Sequence, residues 1–356
     1  MKKYTFLSPR ERIQLEAYLK VKKSPREISR LLNRHISTIY REIKRGEYQH
    51  LNGDTWISEK RYSSDKAQAY IEYGNSSKGV RPKLSNDYEF VRFVSEQIRK
   101  KNSPAVILAT IRREGRTFRT RVSLRTLYNY IYLGYIPGIS SRDLLLKGKR
   151  RKHRKTRRGK TLARGRSIHE RPAEVLSRDT FGHWELDSVI GTSEKGTTVL
   201  SLVERKTRFL LTFRARNKSA VEPVRFLNFL ERKLGTKNFR RVFRSITVDN
   251  GTEFSYTHAL ETSAFSKQPR TELFYCDPYS SWQRGTNENH NRFLRRYIPK
   301  GVPISRFSSA FIQQSTDKIN DYPRALLQWQ TPRELFEREL SKMDLEKISN
   351  FFRTNY

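Results

Sequence analysis

The chain has 356 residues, and its 73 lysines and arginines outnumber its 36 aspartates and glutamates, which gives a formal net charge of +37. This length allows two or three domains, and an apolar content of 35% with 12% aromatic residues is too high for a wholly disordered basic tail. No stretch approaches the roughly 18 consecutive apolar residues of a membrane-spanning helix, and charged residues interrupt every candidate signal sequence, so we expect a soluble protein.

The single cysteine, Cys276, excludes a disulfide framework and a zinc site built from several cysteines. We expect it to be a small buried apolar residue in a reducing cytoplasm. The positive charge is uneven, because residues 1–166 carry a net charge of +28 and residues 167–356 carry +9. The basic residues do not lie on one long amphipathic helix, so nucleic acid is favoured over a membrane surface as the partner.

Residues 1–46 are predicted to form a helix-turn-helix domain with three short helices. Ser8 and Ser24 are each followed by proline and, three residues on, by glutamate, which predicts capped starts for the first two helices. The third helix is predicted to run from Ser37 to Gly46 and is basic. The side chains expected to enter the major groove of DNA are Ser37, Thr38, Arg41 and Lys44.

Residues 47–78 are polar and are predicted to be a connector, after which the helical pattern recurs in residues 79–146. Ser103-Pro104 repeats the second-helix start of the first unit, and Arg125 to Tyr128 is similar to the start of its third helix. We predict a second helix-turn-helix domain in which Arg125 and Asn129 contact DNA. Either motif alone could be an ordinary three-helix packing unit, but two of them on the strongly basic half favour DNA binding.

Residues 147–166 contain 12 lysines and arginines and no acidic residue. Such a block is predicted to be a flexible linker that lies along DNA phosphates without sequence preference. The alternative is a charge run that only maintains solubility. The predicted phosphate contacts are Lys152, Arg154, Lys155, Arg157 and Arg158.

From about residue 180 onward, the hydrophobic pattern changes to the alternation typical of strands. We predict a mixed α/β sheet domain over residues 167–341, followed by a C-terminal tail at residues 342–356. The predicted order is three strands, a helix, a strand, a connecting segment, a strand and a helix. These elements are the strands 183–190, 197–203, 207–215, 245–248 and 273–276, and the helices 220–234 and 286–297.

Three acidic residues are expected to meet in this domain. Asp187 lies in the first predicted strand, Asp249 ends the fourth, and Glu288 lies in the first turn of the last helix. Carboxylate oxygens from three elements suit Mg²⁺ or Mn²⁺, and such a site can hold two ions about 3.5–4 Å apart. The alternative is that the three are solvated carboxylates paired with arginines. The arginines expected to meet a phosphodiester near Glu288 are Arg284, Arg292 and Arg295.

Three sequence blocks resemble the signature blocks of bacterial insertion-sequence DDE transposases, specifically the family named insertion sequence thirty. They are GHWELD, TVDNGTEF and DPYSSWQRGTNENHNRFLRRYIPKG. The resemblance implies an RNase-H-like catalytic domain shared with retroviral integrases, with Asp187, Asp249 and Glu288 as the catalytic and metal-binding triad. The spacing between Asp249 and Glu288 is longer than is usual in the family, and Leu186 stands where glycine is common.

Several neighbours of the triad have two interpretations each. Trp282 could stack on an unpaired base or pack under the start of the last helix. The residues that could position the ligands, or be purely structural, are His183, Glu185, Asn250 and Glu253.

The sequence as a whole predicts a multidomain α and α/β enzyme: a transposase that binds the terminal inverted repeats of its own insertion sequence. The expected reactions are metal-dependent strand cleavage and strand transfer by a 3′-hydroxyl group, with Mg²⁺ as cofactor. The resemblance also implies copy-out, paste-in transposition through a circle with abutted ends, a homodimer or higher multimer on double-stranded DNA, and a location at the bacterial nucleoid. The alternatives are a non-catalytic helix-turn-helix regulator and a tyrosine or serine recombinase.

Overall fold

The structure is a computed structural model that describes residues 6–53, 56–76, 82, 84, 87–144, 165–192, 196–278 and 280–354. Internal contacts divide the chain into two compact units, Met1–Asn86 and Asp87–Tyr356. Within the part of the chain that is described, no helix is both long enough and apolar enough to cross a membrane.

The first unit begins with three helices, α1 (Pro9–Lys20), α2 (Pro25–Leu31) and α3 (Ile36–Gly46). Ser8 and Ser24 form the expected capping boxes, in which the serine hydroxyl accepts from a backbone N–H while the glutamate three residues on accepts from the serine N–H. The third helix begins one residue earlier than predicted, because the ring of His35 caps it. Apolar side chains from all three helices form one core.

Residues 47–76 are not the connector that the sequence analysis predicted. They form a hairpin of β1 (Glu47–Leu51) and β2 (Ser58–Tyr62), followed by α4 (Ser64–Ser76), which packs on α1 and α3. The physical reason is that Tyr62 and Ala67 fill the core of the three helices. A carboxylate oxygen of Glu16 also accepts from the backbone N–H of Ser64 at 2.9 Å, which holds the start of α4.

The second unit begins with α5 (Tyr88–Arg99), α6 (Pro104–Arg113) and α7 (Leu124–Tyr132). The side chains of Asp87, Ser103 and Ser123 cap the starts of these helices, and the start at Ser103-Pro104 is the one that the sequence predicted. This helical region lies in the same compact unit as the sheet that follows it.

A five-stranded mixed sheet forms the centre of the second unit. Strands β3, β4 and β5 are antiparallel neighbours, whereas β6 and β7 continue the sheet in parallel on the other side of β3. The resulting order, β5-β4-β3-β6-β7, is that of the predicted RNase-H-like fold, so the fold class is confirmed. The strands are β3 (His183–Val189), β4 (Thr198–Glu204), β5 (Leu210–Ala215), β6 (Ser245–Val248) and β7 (Glu272–Tyr275), preceded by the short α8 (Glu174–Ser177).

Helices cover both faces of the sheet. Leu202 packs with α9 (Val221–Leu234) and α10 (Thr236–Val242), and the short α11 (Thr257–Glu261) also contacts α9. On the opposite face, Val189 and Val203 pack with α12 (Gly285–Leu294) and α13 (Ser309–Asn320). Because side chains alternate along a strand, Asp187 lies on the same face of β3 as Val189, toward α12.

The C-terminal residues 342–354 are not a tail. After α14 (Pro332–Ser341), they include α15 (Glu346–Thr354), which packs on α14. Leu345 and Phe352 are buried in the same core as Phe336. The apolar face of α15 therefore completes the core of the sheet unit.

Candidate active site

Asp187 and Asp249 lie at the same edge of the sheet. β3 and β6 pair in parallel with Glu185 opposite Thr247, and each aspartate is two residues further along its strand direction. The register of the pair therefore brings both carboxylates to one place, the carboxyl ends of adjacent strands.

The guanidinium of Arg284 bridges the two carboxylates. Its Nη1 donates to Asp187 Oδ1 at 2.9 Å, and its Nη2 donates to Asp249 Oδ2 at 2.7 Å. Burial disfavours the charged guanidinium, but the two aspartates outweigh this effect and hold the pKa of Arg284 above its usual value. Arg284 was predicted to contact DNA, whereas the structure shows it engaged by the aspartates, because they are the nearest concentration of negative charge.

The other two carboxylate oxygens of the pair are also hydrogen-bonded. Asp187 Oδ2 accepts from Asn291 Nδ2 at 2.7 Å, and Asp249 Oδ1 accepts from the backbone N–H of Gly251 at 2.9 Å. Sequence reasoning missed Asn291. Its spacing from Glu288 could have found it, because residues three apart share one face of a helix.

Glu288 lies in the first turn of α12 as expected, but its carboxylate is not part of this cluster. The side chain is 57% exposed, and Oε1 accepts from Arg292 Nη2 at 3.0 Å. Among the described residues, no group of three or more acidic, histidine or cysteine side chains is arranged to hold a metal ion. The helix face is nevertheless oriented toward the site, because Asn291 and Arg295, three and seven residues after Glu288, contact Asp187 and the carbonyl of Ile190.

The donor chemistry of Asp187 and Asp249 fits a divalent cation. Both carboxylates bind the guanidinium of Arg284, so an oxygen of each already faces the same cationic group. Carboxylate oxygens are the hard ligands that Mg²⁺ and Mn²⁺ prefer. A cation held by both aspartates would take the place of the Arg284 guanidinium. Glu288 could join them only by releasing Arg292.

Glu185 and His183 share the strand face of Asp187 but have structural partners. Glu185 is fully buried and accepts from Arg205 Nη1 at 2.6 Å and from the backbone N–H of Asn287 at 3.0 Å. It therefore fixes the first turn of α12, next to Glu288. His183 Nδ1 lies 2.8 Å from Ser245 Oγ, and burial lowers its pKa.

Glu253 is a buried acid beside Asp249. Its Oε1 accepts from Ser188 Oγ at 2.8 Å, whereas its Oε2 is buried and has no hydrogen-bond partner among the described residues. A Cβ atom at Gly251 would lie 2.5 Å from Glu253 Oε2 and 2.8 Å from Asp249 Oδ1, so a side chain at this position would displace at least one of the two carboxylates. The loop after β6 thus holds two carboxylates close together.

Asn250 also belongs to this loop. Its Nδ2 donates to the carbonyl oxygen of Cys276 at 2.7 Å, which ties the loop to the end of β7. Burial raises the pKa of the Cys276 thiol to about 12, so this cysteine is a buried neutral side chain.

The remaining predicted DNA contacts near α12 differ in exposure. Trp282 is 72% exposed, so it does not pack under the helix start and its indole is accessible. Arg292 is exposed apart from its contact with Glu288. Arg295 is partly buried, donates to the carbonyl of Ile190 at 2.7 Å, and has its pKa lowered by burial.

Helix α3 of the first unit exposes Arg41 and Lys44 on its surface, while Ser37 and Thr38 near its start are partly exposed. The buried residues of this helix are Ile39, Glu42 and Gly46, and Glu42 accepts from Arg12 Nε at 2.6 Å. The basic side chains therefore lie away from the packed face.

In the second unit, Arg125 and Asn129 are both exposed and lie four residues apart on α7, which places them on one helix face. The predicted linker contacts lie outside the described residues. They are Lys152, Arg154, Lys155, Arg157 and Arg158.

Comparisons with known proteins match both halves of the chain. A family model described as a helix-turn-helix domain matches residues 3–46. The probable transposase for insertion-like sequence element IS1161 of Streptococcus salivarius is 33% identical over 341 residues, which cover 94% of this chain and 95% of that protein. The transposase InsI for insertion sequence element IS30A of Escherichia coli K12 is 32% identical, covering 94% and 84% of the two chains.

A third relative, the transposase for insertion sequence element IS1086 of Cupriavidus metallidurans, is 32% identical and covers 95% of this chain and 96% of that protein. Among solved structures, the catalytic core domain of BIV integrase aligns with a TM-score of 0.35 and 17% identity, covering 46% of this chain and 99% of that one.

Proposed function

The chain belongs to the IS30 family of transposases, and from this premise we propose that it is a DDE transposase that binds the terminal inverted repeats of its own insertion sequence, cleaves them and joins their 3′ ends to DNA. The observation that carries the proposal is the Asp187–Asp249 pair at the carboxyl ends of adjacent parallel strands, with α12 packed beside it.

Asp187, Asp249 and Glu288 are the residues that would hold Mg²⁺ or Mn²⁺. When bound, two such ions would supply activation of the attacking oxygen and neutralise the charge that develops on the leaving oxygen. Glu185 supports this arrangement, since it binds the backbone of Asn287 and so fixes the helix turn from which Glu288 extends. The guanidinium of Arg284, once released from the aspartates, is positioned to donate to a phosphate of the bound strand.

The proposed chemistry consists of two in-line displacements. In the first, a water oxygen attacks the phosphorus at the element end and the bond to the 3′ oxygen breaks, which leaves a free 3′-hydroxyl group. In the second, that hydroxyl attacks a phosphodiester of the target DNA and displaces its 3′ oxygen. Neither step needs a covalent protein intermediate, so the buried and neutral Cys276 has no role as a nucleophile.

Binding to the ends is assigned to α3 and α7. Arg41 and Lys44 on the first and Arg125 and Asn129 on the second are exposed and suited to the major groove. Copy-out, paste-in transposition through a circle, assembly as a dimer or higher multimer that holds two ends, and action at the nucleoid belong to the same proposal through the family.

A non-catalytic regulator would explain the two helix-turn-helix units but would leave the paired aspartates and their contact with α12 without a purpose. The two functions are separated with labelled duplexes made from the DNA that flanks the gene. We expect the protein to bind these duplexes and to cut one strand in Mg²⁺ but not in EDTA.

The variant for this test is Asp249→Asn, which keeps the size of the side chain and removes its charge. It should lose cleavage and keep binding, whereas the matched control Asp344→Asn changes an exposed aspartate and should keep both. Cleavage that persists in EDTA, or in Asp249→Asn, contradicts the proposal.

A further inference from the structure

A cleft of about 740 Å³ lies between the second helix-turn-helix region and the helices that follow the active site. Residues at the end of α5 and on α6 form one wall. The opposite wall is formed by the turn after α12, by α13 and by the loop before α14. Both walls belong to the same compact unit.

Two lysine side chains, Lys101 and Lys318, line this cleft from different parts of the chain, and the guanidinium of Arg296 lies beside it. Lys101, after α5, donates from Nζ to the carbonyl oxygen of Arg296 at 2.5 Å and lies 4.8 Å from the centroid of the Tyr297 ring. Lys318 on α13 places its Nζ 5.9 Å from the same centroid. Arg296 does not line the cleft itself, but its guanidinium lies 5.0 Å from the ring centroid of Tyr322, which does.

These three cations have no anionic partner. Within the described ranges, no carboxylate forms an ion pair with Lys101, Arg296 or Lys318. The nearby acid Asp321 is already paired with Arg333 at 2.6 Å. Burial, together with the charges of Lys318 and Arg296, lowers the pKa of Lys101, which reflects the uncompensated positive charge.

The walls of the cleft are held in unusual backbone conformations. Lys101 and Trp329 both line the cleft, and both adopt left-handed conformations with φ of 65°. Gln328, which precedes Trp329, is also left-handed, with φ of 54°. A left-handed residue other than glycine is strained and persists only where its surroundings enforce it. Here Arg113 donates to the carbonyl oxygen of Trp329 at 3.0 Å and pairs with Glu334, which fixes the loop.

We propose that this cleft binds the phosphodiester backbone of the duplex DNA that the second helix-turn-helix region holds. The inference rests on the proposed function, since α7 must hold DNA for the backbone to reach the cleft. Lysine and arginine side chains without an anionic partner are the groups that bind the phosphates of a DNA backbone. Lys101 donates to the backbone of Arg296, two residues after the end of α12, so a phosphate bound at Lys101 lies close to the end of the helix that carries Glu288.

The test uses the full-length protein in EDTA and a fluorescent random-sequence duplex of about 30 base pairs, titrated over a series of salt concentrations. The variant is Lys101→Gln with Lys318→Gln. The matched control, Lys233→Gln with Lys237→Gln, removes the same charge from two exposed lysines of the same unit that do not line the cleft.

We expect the cleft variant to reduce the slope of log K against log salt by about 1.8, since each lost phosphate contact removes about 0.9, and to weaken binding more than tenfold at about 0.1 M salt. The control should change the slope by much less. Acetylation of lysines with an amine-reactive reagent, read by mass spectrometry, should show that the duplex protects Lys101 and Lys318 but not the control lysines.

Equal slopes for the cleft and control variants would overturn the inference. The inference would also be overturned if the cleft variant bound the duplex normally and lost binding only to a single strand of the same sequence, because the site is assigned to duplex DNA. If the unaltered protein bound no duplex at all, the proposed function itself would fail, which is a distinguishable result.

Discussion

Replacing Arg284 by glutamine removes the only cation that bridges Asp187 and Asp249 among the described residues. Breaking a buried ion pair costs about 3–5 kcal/mol, whereas an exposed pair contributes about 0–1 kcal/mol. Arg284 is 12% exposed and Asp187 is 20% exposed, so this ion pair is close to the buried case. Asp249 is 40% exposed, so its ion pair with Arg284 is closer to the exposed case. We therefore expect Arg284→Gln to lower the free energy of unfolding by about 3 kcal/mol when divalent ions are absent.

Divalent ions should reverse this loss, because an ion between the aspartates replaces the missing positive charge. At about 100 times its dissociation constant, an ion that binds only the folded protein adds about 2.7 kcal/mol. The assay is thermal unfolding followed by tryptophan fluorescence, in EDTA and over a series of MnCl₂ concentrations. The midpoint of the variant should fall by several degrees in EDTA and recover with Mn²⁺.

The same ion should bind the variant more tightly than the unaltered protein, in which it must displace Arg284. Free Mn²⁺ measured by electron paramagnetic resonance gives this affinity without any DNA or activity. The control is Arg306→Gln, which removes an exposed arginine that has no carboxylate partner in the described chain. It should change neither the unfolding temperature nor the Mn²⁺ affinity. The reasoning is refuted if Arg284→Gln unfolds at the same temperature as the unaltered protein in EDTA, or if its Mn²⁺ affinity is no higher.

Three further predictions concern other parts of the molecule. Glu288→Gln should abolish cleavage and joining while leaving end binding intact, and comparable joining in Mg²⁺ would show that Glu288 holds no ion. Arg41→Ala with Lys44→Ala should lower the ratio of end binding to random-duplex binding several-fold, since a good base contact is worth about 1–3 kcal/mol; an unchanged ratio in competition titrations would exclude α3 as a reader. The hydrogen bond from Ser64 holds the pKa of Glu16 at about 2, below its usual value. The stabilisation that the ionised Glu16 gives the folded state is therefore complete above about pH 4.5 and is lost as the pH falls toward 2. Calorimetry of the full chain should accordingly show Glu16→Gln less stable by about 2 kcal/mol at pH 7 and not at about pH 2, and a pH-independent difference would contradict this.

The order of strands and helices along the chain, and the elements that carry Asp187 and Asp249, were predictable because they depend on local patterns. Alternating apolar residues define the strands, and an Asp-Asn-Gly sequence ends β6 abruptly. The parallel pairing of β3 with β6, which the structure shows, then brings the two aspartates to one edge.

The bridge made by Arg284 was not predictable from helix spacing, which placed this arginine beside Glu288 on an exposed face. Its orientation depends on two carboxylates from distant parts of the chain, Asp187 and Asp249, that attract it more strongly than one neighbour on its own helix. Residues 47–76 and 342–354 were misjudged for a related reason. Tyr62 and Phe352 are single large side chains whose burial depends on a core built elsewhere.

The placement of α15 has a consequence for synthesis on the ribosome. The core of the first unit uses residues between Leu7 and Ala67, all of which emerge early from the exit tunnel. The core of the sheet unit includes Phe352, so it stays incomplete until residue 352 has been translated, almost 300 residues after Ala67. Domains fold as units during synthesis, with N-terminal ones first. The nascent chain therefore acquires its first DNA-binding surface well before its catalytic unit closes.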